Sequence, residues 1–271
     1  MKVEEFFEAL HYDFFTGVPD STLSPICDHL MRHKGLSKEH IIAANEGNCV
    51  GLAAGYYMST GKVPVVYLQN SGIGNIVNPV ASLLNEKIYR IPCLFLVGWR
   101  GEPGVHDEPQ HRFQGEITHQ LLEDIGIKTF SVKKTMTKEE WKAIIAQADA
   151  LLAERKQVAI VIPKGAIEAD TKSSNQNSYH LKREETIFEL VSHAPDGIFV
   201  ASTGKIAREL FAVRETMGQS HERDFLTVGS MGHCSSIALE IALQKPERRI
   251  WCLDGDGALL MHMGAMAVMG S

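Results

Sequence analysis

Short apolar runs alternate along this chain with segments of helical pattern, and this alternation narrows the folds that are open to it. Four such runs are bounded by turn residues and are interpreted as strands, at residues 41–44, 63–68, 93–97 and 158–162. Three more strands are predicted further along the chain, at residues 198–201, 225–228 and 250–253. Strands joined by helices form parallel sheets whose two faces are both covered. The sequence therefore predicts an α/β protein built on parallel sheets.

A polar stretch separates the two series of predicted strands. Residues 171–180 are rich in Ser and Asn, a composition typical of linkers. We therefore predict an α/β domain at residues 1–168, a linker at 169–181 and a second α/β domain at 182–271. Open α/β sheets usually contain about five or six strands. With three strands, the second domain is expected to be incomplete and the chain to be truncated.

Composition and charge narrow the classes of function. The 271 residues carry a net charge of −6, which gives no reason to expect nucleic acid or an anionic membrane as a partner. No apolar run approaches the ~20 residues of a membrane-spanning helix, and the N-terminus lacks a signal-peptide pattern. The five cysteines are scattered, without a Cys-x-x-Cys motif. We expect them to be reduced residues of a cytoplasmic protein rather than disulfides or zinc ligands.

The turn after the last predicted strand has the composition of an anion or metal site. Gly255, Asp256 and Gly257 separate the apolar run at 250–253 from a segment of helical composition. A strand, a tight turn and a helix place backbone N–H groups and a carboxylate at the carboxyl edge of a sheet, where phosphates bind. Asp256 offers the hard oxygen ligands that suit Mg²⁺. An ordinary turn is the alternative interpretation.

Three loops of the first predicted domain carry candidate functional residues. Glu46 follows the strand at 41–44 and is expected to be partly buried, the alternative being a residue that only stabilises a helix start. Asp20 is either a turn residue or a polar group that faces substrate, and Ser21 beside it is a predicted helix N-cap. The polar loop at 99–114 is either solvated or an active-site loop that supplies proton donors and cations to an anionic substrate.

Two partial matches to nucleotide-binding motifs are rejected. Thr203, Gly204 and Lys205 follow a predicted strand, but Ile206 stands where a phosphate-binding P-loop needs Ser or Thr. A strand end with hydroxyl groups and a helix N-terminus can still hold an oxyanion. A partial dinucleotide-binding fingerprint has Val77 where glycine is needed, so a nicotinamide site is not expected.

Six short stretches together resemble the thiamine diphosphate-dependent 2-oxoacid decarboxylases, and within them the phosphonopyruvate decarboxylases, with the sulfopyruvate decarboxylases as a sister group. These stretches are residues 17–21, 45–47, 106–111, 202–205, 229–232 and 255–257. The resemblance extends over essentially the whole chain. It implies two thiamine diphosphate-binding-type domains, the first binding the pyrimidine side of the cofactor and the second, incomplete one binding the diphosphate side.

The resemblance also implies roles for individual residues. Asp256 matches the ligand of the Mg²⁺ that bridges the cofactor's diphosphate, Glu46 the glutamate that hydrogen-bonds the aminopyrimidine ring, and Met231 the apolar residue that holds the cofactor bent. Further cofactor-binding candidates are Asn70, Ser71, Thr203, Gly204, Ser230, Gly255, Gly257 and Ala258. The other catalytic candidates are Asp20, His106 and His111, and the substrate-binding candidates are Asp20, Ser21, Arg100, Arg112 and Lys205.

The activity that the resemblance implies is Mg²⁺-dependent, non-oxidative decarboxylation of phosphonopyruvate to phosphonoacetaldehyde and CO₂, a step of phosphonate biosynthesis. A homodimer or larger homo-oligomer is implied, with its active site at the subunit interface. Sulfopyruvate is the alternative substrate; its decarboxylases are commonly split into separate chains, so the continuity of this chain favours phosphonopyruvate. A non-catalytic α/β protein that binds a phosphorylated ligand is the alternative of another class. The family's second metal ligand, an Asn, would lie beyond Ser271, so the chain alone is expected to be inactive.

Overall fold

The structure, a computed structural model, describes residues 1–169 and 178–271, and the chain divides into two compact units, Met1–Ser174 and Asn175–Ser271. Each unit is built on its own parallel sheet, of six strands in the first and three in the second, which confirms the predicted α/β class. Most of the predicted linker, at residues 170–177, lies outside the described residues. No helix in the described ranges is both long and apolar enough to cross a membrane.

The first unit alternates strands and helices along the chain. Its strands are β1 (Phe15–Gly17), β2 (His40–Ile42), β3 (Val65–Gln69), β4 (Cys93–Trp99), β5 (Ile127–Ser131) and β6 (Gln157–Pro163). Its α-helices are α1 (Val3–Ala9), α2 (Ser24–His33), α3 (Glu46–Thr60), α4 (Ile73–Pro79), α5 (Pro109–Asp124) and α6 (Lys138–Ala153). A 3₁₀ turn at Asn70–Gly72 precedes α4, and a π-helical turn at Val80–Leu84 follows it. The sheet order is β2-β1-β3-β4-β6-β5, so the carboxyl ends of β1, β2, β3 and β4 lie along one edge.

Alternating side chains of the central strands enter two cores, one on each face of this sheet. Tyr67 and Leu96 belong to the core covered by α1, α2 and α6, whereas Leu68 and Phe95 belong to the core covered by α3, α4 and α5. Because both faces are buried, the central strands are continuous apolar runs. Trp141 of α6 is fully buried, stacks on the ring of Phe6 at a centroid distance of 4.6 Å and donates its indole N–H to the Phe6 carbonyl oxygen.

The second unit is smaller but follows the same plan. Its strands are β7 (Ile198–Ala201), β8 (Asp224–Leu226) and β9 (Ile250–Leu253), in the order β8-β7-β9. Its α-helices are α7 (Arg183–His193), α8 (Lys205–Thr216), α9 (Cys234–Gln244), α10 (Asp256–Met261) and α11 (Ala265–Met269). Helices α7 and α8 cover one face of the sheet and α9 packs on the other. A fully buried ion pair between Arg214 and Asp224 joins α8 to β8 with a shortest N–O distance of 2.8 Å.

The structure corrects several predicted boundaries. Strands β1 and β5 were not predicted. The loop predicted at 99–114 ends at Glu108, because α5 begins at Pro109, a residue favoured in the first turn of a helix. Ser21 does not cap α2, which begins at Ser24 after Leu23. The single helix expected after residue 258 is divided into α10 and α11.

All five cysteines are free thiols, and three of them are buried.

Candidate functional site

The turn at Asn70–Gly72, which follows β3, organises the carboxyl edge of the first unit. Gln69, the last residue of β3, donates a hydrogen bond from its Nε2 to Asp20 Oδ2 in the loop after β1. Its Oε1 accepts a hydrogen bond of 2.7 Å from the Ser71 hydroxyl. Gln69 therefore ties the loop that carries Asp20 to the end of β3 and to the turn that follows.

Asp20 is a buried, fully engaged carboxylate. Only 8% of the residue is exposed, and its Oδ1 accepts hydrogen bonds from the backbone N–H groups of Thr22 at 2.9 Å and Leu23 at 3.3 Å. Gly98 of β4 permits this close packing, since a Cβ atom there would lie 2.6 Å from Asp20 Oδ1. Asp20 thus shapes the entry to α2, the task that the sequence assigned to Ser21. Its proposed contact with substrate stays a prediction.

Asn70 ties the loop after β4 to the same turn. It is 4% exposed, and its Nδ2 donates to the Arg100 carbonyl oxygen at 2.8 Å and to Thr118 Oγ1 at 2.9 Å. Its Oδ1 accepts from the Arg100 backbone N–H at 3.1 Å. These three bonds engage the carboxamide of Asn70 with protein groups, which indicates a structural role beside the predicted cofactor contact.

We expect Asn70→Ala to lower the free energy of unfolding of the first unit by about 2–3 kcal/mol, because it leaves part-buried backbone groups of Arg100 without partners. Urea denaturation monitored by circular dichroism measures the effect. Asn78→Ala, at an exposed position of α4, is the matched control and should change stability by no more than about 0.5 kcal/mol. Equal stabilities of the two variants would contradict the role given to Asn70.

Glu46 is the first residue of α3, and its side chain is buried rather than solvated. Asn45 caps the helix by accepting a 3.0 Å hydrogen bond from the Asn48 N–H, so Glu46 is not needed as the cap. The residue is 5% exposed, and its Oε2 accepts a 2.6 Å hydrogen bond from Asn75 Nδ2. A Cβ atom on Gly72 would lie 2.3 Å from Glu46 Oε1, so only glycine fits beside this carboxylate. The expected burial is confirmed, at a helix start where the helix dipole also favours a negative charge.

The loop after β4 is folded on itself by an ion pair. Asp107 binds the Arg100 guanidinium through Nε at 2.8 Å and Nη2 at 2.5 Å. The loop also packs tightly against α5, since the backbones of Gly101 and Gly115 are in contact. A Cβ atom on Gly115 would lie 1.7 Å from the Gly101 carbonyl oxygen. His111, in the first turn of α5, is half-buried; burial and the nearby Arg100 charge lower its pKa, which favours the neutral imidazole.

Several other candidates of the first unit lie on its surface. Ser21, Ser71, His106 and Arg112 are exposed. Arg112 lies in the first turn of α5, and no hydrogen bond or ion pair among the described residues joins it to Asp20 or Arg100. The structure therefore connects Asn70 to Arg100 and ties Asp20 to the adjoining end of β3, whereas these four residues are exposed.

In the second unit, the turn after β9 places two carboxylates beside glycines. Asp254 Oδ1 accepts from the Gly255 N–H at 2.9 Å, and its Oδ2 is buried with no hydrogen-bond partner among the described residues. Asp256, the first residue of α10, is exposed, and its Oδ1 accepts from the Gly257 N–H at 2.7 Å. Ala258, behind this turn, is buried.

The segment before α9 lies against the same turn. A Cβ atom on Gly257 would lie 3.2 Å from the Met231 Cε atom, so the two residues are in contact, and Met231 remains 39% exposed. Ser230 has a positive φ of 52°, which is uncommon for a residue other than glycine and indicates a constrained turn. The structure thus brings the predicted residues at 230–231 and 255–257 together.

The loop between β7 and α8 carries the remaining candidates. Gly204 precedes α8 with a φ of 91°, a conformation that favours glycine, and Lys205 opens the helix on an exposed position. Thr203 is half-buried, and Ser202 is buried at the end of β7. The loop therefore ends at the first turn of a 12-residue helix, whose N–H groups can donate hydrogen bonds to an anion.

Comparison with known proteins defines the class. Residues 3–122 match the thiamine pyrophosphate enzyme N-terminal TPP binding domain, and residues 203–270 match the corresponding C-terminal TPP binding domain. The chain belongs to the thiamine pyrophosphate enzyme family. The two matched domains fall in the first and the second unit respectively.

Within the family, the chain is similar to decarboxylases of two kinds. It is 30% identical to the phosphonopyruvate decarboxylase of Streptomyces viridochromogenes over 273 residues, covering 94% of this chain and 66% of the relative. It is also 30% identical to the sulfopyruvate decarboxylase of Methanosarcina acetivorans over 276 residues, covering 93% of this chain and 68% of the relative. The alpha subunit of the sulfopyruvate decarboxylase of Methanococcus maripaludis is 33% identical over 139 residues, covering 51% of this chain and 78% of the subunit. The chain spans about two thirds of the length of the first two relatives.

These similarities remove one argument for the substrate. The Methanosarcina sulfopyruvate decarboxylase aligns over 93% of this chain, so a continuous chain is compatible with either kind of decarboxylase. The continuity argument for phosphonopyruvate is therefore wrong, and the two relatives, both 30% identical, do not separate the substrates.

The oxygen donors of the second unit fit a Mg²⁺ ion that is bound mainly by a diphosphate. No group of three or more His, Cys, Asp or Glu side chains within residues 1–169 and 178–271 could hold a metal by itself. Mg²⁺ usually keeps several waters and is bound by one or two carboxylates together with phosphate oxygens. Asp256 is exposed and Asp254 Oδ2 lacks a partner in the described part of the chain, so the turn supplies suitable oxygens.

The residues that hold the candidates were not predicted. Gln69, Asn75 and Asp107 bind Asp20, Glu46 and Arg100 respectively, and none of these three was predicted as a site residue. Their signal in the sequence is weak: Gln69 is a polar residue at the end of an apolar strand, and Asn75 lies in the first turn of the helix that follows. Such positions lie at the carboxyl edge of a parallel sheet, where ligands bind.

Proposed function

We propose that the protein is a thiamine diphosphate- and Mg²⁺-dependent decarboxylase that converts phosphonopyruvate to phosphonoacetaldehyde and CO₂. The main support is the similarity, over 94% of the chain, to an enzyme named for that reaction. The buried carboxylate of Glu46, fixed at the start of α3, supports the assignment to a decarboxylase at the level of the residues. Sulfopyruvate decarboxylation is the second candidate, supported by equal sequence identity to the Methanosarcina enzyme.

Thiamine diphosphate, when bound, supplies the nucleophilic carbon and the electron sink for decarboxylation. We assign to Glu46 the task of holding a proton that it shares with the aminopyrimidine ring. The hydrogen bond from Asn75 to Oε2 fixes the orientation of the carboxylate, and its burial excludes water from the shared proton. Gly72 is required for this arrangement, because any side chain there would displace Oε1.

The second unit supplies the residues that would bind the diphosphate. Asp256 would bind the Mg²⁺ ion, and the backbone groups of the adjoining glycines and Ala258 would lie beside the phosphates. The other candidates of the second unit for this role are Thr203, Gly204 and Ser230. Asn70 and Ser71 of the first unit are further cofactor-binding candidates. Met231, in contact with Gly257 and partly exposed, would pack against the cofactor, since a thioether is a poor ligand for a hard ion.

Recognition of the substrate requires cations for its anionic group. The candidates are Arg100, Arg112 and Lys205. His106, on the loop after β4, and His111, at the start of α5, are the candidates for proton transfer. We also propose a homodimer or larger homo-oligomer with the active site at the subunit interface, and a cytoplasmic location. The existence of a sulfopyruvate decarboxylase that is divided into named subunits supports assembly from more than one chain.

We expect the full-length gene product to decarboxylate phosphonopyruvate with a kcat/KM about 10²-fold higher than for pyruvate. Each charge-assisted hydrogen bond to the phosphonate contributes about 1.5–3 kcal/mol, and pyruvate lacks the acceptor. Steady-state assays of aldehyde formation from phosphonopyruvate, sulfopyruvate and pyruvate measure the ratio. Equal kcat/KM values for phosphonopyruvate and pyruvate would refute a site that recognises the anionic group. A higher kcat/KM for sulfopyruvate than for phosphonopyruvate would favour the second candidate function.

A further inference from the structure

The carboxylate of Asp107 is the centre of the loop after β4. Besides the two bonds from the Arg100 guanidinium, its Oδ2 accepts from the Gly101 N–H at 2.9 Å and its Oδ1 from the Glu108 N–H at 2.8 Å. Four hydrogen bonds saturate the acceptor capacity of a carboxylate. Arg100 and these neighbours lower the pKa of Asp107 well below its usual range, so it is ionised at any physiological pH. The loop from Arg100 to Glu108 is therefore closed at both ends by one side chain.

Arg100 is correspondingly held in one orientation. The side chains of Arg100 and Asp107 are 18% and 15% exposed. The Asn70 carboxamide forms hydrogen bonds with both the backbone N–H and the carbonyl oxygen of Arg100. Nε and Nη2 are occupied by Asp107, which leaves the Nη1 amino group without a hydrogen-bond acceptor among the described residues. A guanidinium fixed on one edge is pre-organised to donate from the other, and little rotamer entropy is lost when a ligand binds.

The surroundings of Arg100 carry the other candidates of the first unit. The hydrogen bonds to Asp107 raise the pKa of Arg100, and the negative charges of Asp20 and Glu108 contribute in the same direction. The Arg100 charge in turn lowers the pKa of His111. The backbone packing agrees with these couplings: Gly98, two residues before Arg100, packs against the Asp20 carboxylate, and Gly101, directly after Arg100, packs against the His111 carbonyl oxygen.

We propose that Asp107 is a positioning residue that determines substrate specificity: it holds Arg100 so that Nη1 binds the phosphonate or sulfonate group of the substrate. This inference rests on the proposed function, because it concerns the anionic end of a 2-oxo acid. It differs from a purely structural latch, which would affect all substrates equally. It also differs from a neutralising role, in which Asp107 would compete with the substrate for Arg100.

The test compares Asp107→Asn with the unaltered full-length gene product in two measurements. Calorimetry measures the Kd of 3-phosphonopropanoate, which carries the phosphonate but lacks the reactive keto group. Steady-state assays measure KM and kcat for phosphonopyruvate, sulfopyruvate and pyruvate. We expect the Kd of 3-phosphonopropanoate and the KM values of phosphonopyruvate and sulfopyruvate to rise ~10-fold, because a charge-assisted contact is lost. The kcat/KM for pyruvate should stay within about twofold.

Two further variants control for damage to the loop. Arg100→Lys keeps the positive charge but cannot bind Asp107 through two N–H groups, so it should weaken 3-phosphonopropanoate binding to a similar extent. The double variant should bind no more weakly than Arg100→Lys alone, because the two residues act as one unit. Asp13→Asn removes an exposed ion pair with Lys62 in the same unit and should leave the Kd unchanged.

The remaining outcomes overturn the inference. Tighter binding by Asp107→Asn would indicate that Asp107 competes with the ligand, and an equal loss for pyruvate and the anionic substrates would indicate a structural latch. Additive losses in the double variant would separate the two residues. If the unaltered protein decarboxylates none of the three acids, the proposed function fails, and the Kd of 3-phosphonopropanoate still decides whether Asp107 positions Arg100.

Discussion

Glu46→Gln is expected to reduce decarboxylation at least ~10²-fold while leaving the fold and most of the affinity for thiamine diphosphate intact. Glutamine has nearly the same shape, so burial at the start of α3 is preserved, but it cannot exchange a proton in the way that a carboxylate does. Steady-state assays give kcat, and calorimetry gives the Kd of the cofactor in the same preparation.

A second variant and a control accompany this substitution. Gly72→Ala keeps the carboxylate but places a Cβ atom 2.3 Å from Glu46 Oε1, so the side chain must move and activity should fall as well. Glu39→Gln, just before β2 and exposed, should behave as the unaltered protein. Near-normal turnover by Glu46→Gln would show that this glutamate only stabilises the helix start.

Asp256→Ala should abolish the Mg²⁺-dependent part of cofactor binding, with the Kd of thiamine diphosphate rising at least ~10²-fold in the presence of Mg²⁺. Asp256 is the one exposed carboxylate of the turn after β9, and its loss removes the bridge between the protein and the charged diphosphate. Calorimetric titrations of thiamine diphosphate with Mg²⁺ and with EDTA measure the difference.

The matched control for this variant is Asp196→Ala, which removes another exposed carboxylate of the second unit, paired with Arg223. It should leave both titrations unchanged. If Asp256→Ala and the unaltered protein bind the cofactor equally well with Mg²⁺, the Gly-Asp-Gly turn has only a structural role.

Strands that are buried on both faces of a sheet give a clear apolar signal in the sequence. β4 and β6 are uninterrupted apolar runs because helices cover both sides of the sheet, and their predicted ranges lie inside the observed ones. β9 was predicted with the observed bounds. The three-residue strand β1 contains Thr16 and Gly17, and its place depends on the close contact between Gly17 and Tyr67, which leaves no pattern in the sequence.

The edge strand β5 was missed for a different reason. Its residues Ile127–Ser131 include Lys128 and Thr129, and only Ile127 is fully buried. A strand at the edge of a sheet is partly solvated, so its apolar signal is short and is easily assigned to the end of the preceding helix. The first residues of α5 were assigned to the preceding loop, because the polar residues after Pro109 hide the helical periodicity.

For the candidate site, the sequence indicates which residues lie at strand ends and helix starts, but it does not indicate their hydrogen-bond partners. Glu46 and Asp256 each lie between an apolar strand and a helix, a local pattern that a single sequence displays. The residues that hold the candidates are distant along the chain: Asn75 is 29 positions from Glu46, and Gln69 is 49 positions from Asp20. Contacts of this kind arise when parallel strands bring their carboxyl ends to one edge, so they require the strand order.

The measurement that tests the central claim most directly is CO₂ release from phosphonopyruvate and sulfopyruvate by the full-length gene product, with and without thiamine diphosphate and Mg²⁺. We predict release from at least one of the two acids, with formation of the corresponding aldehyde, only when both the cofactor and the ion are present. Binding of a phosphorylated ligand without CO₂ release under any of these conditions would contradict the assignment and favour a non-catalytic α/β protein.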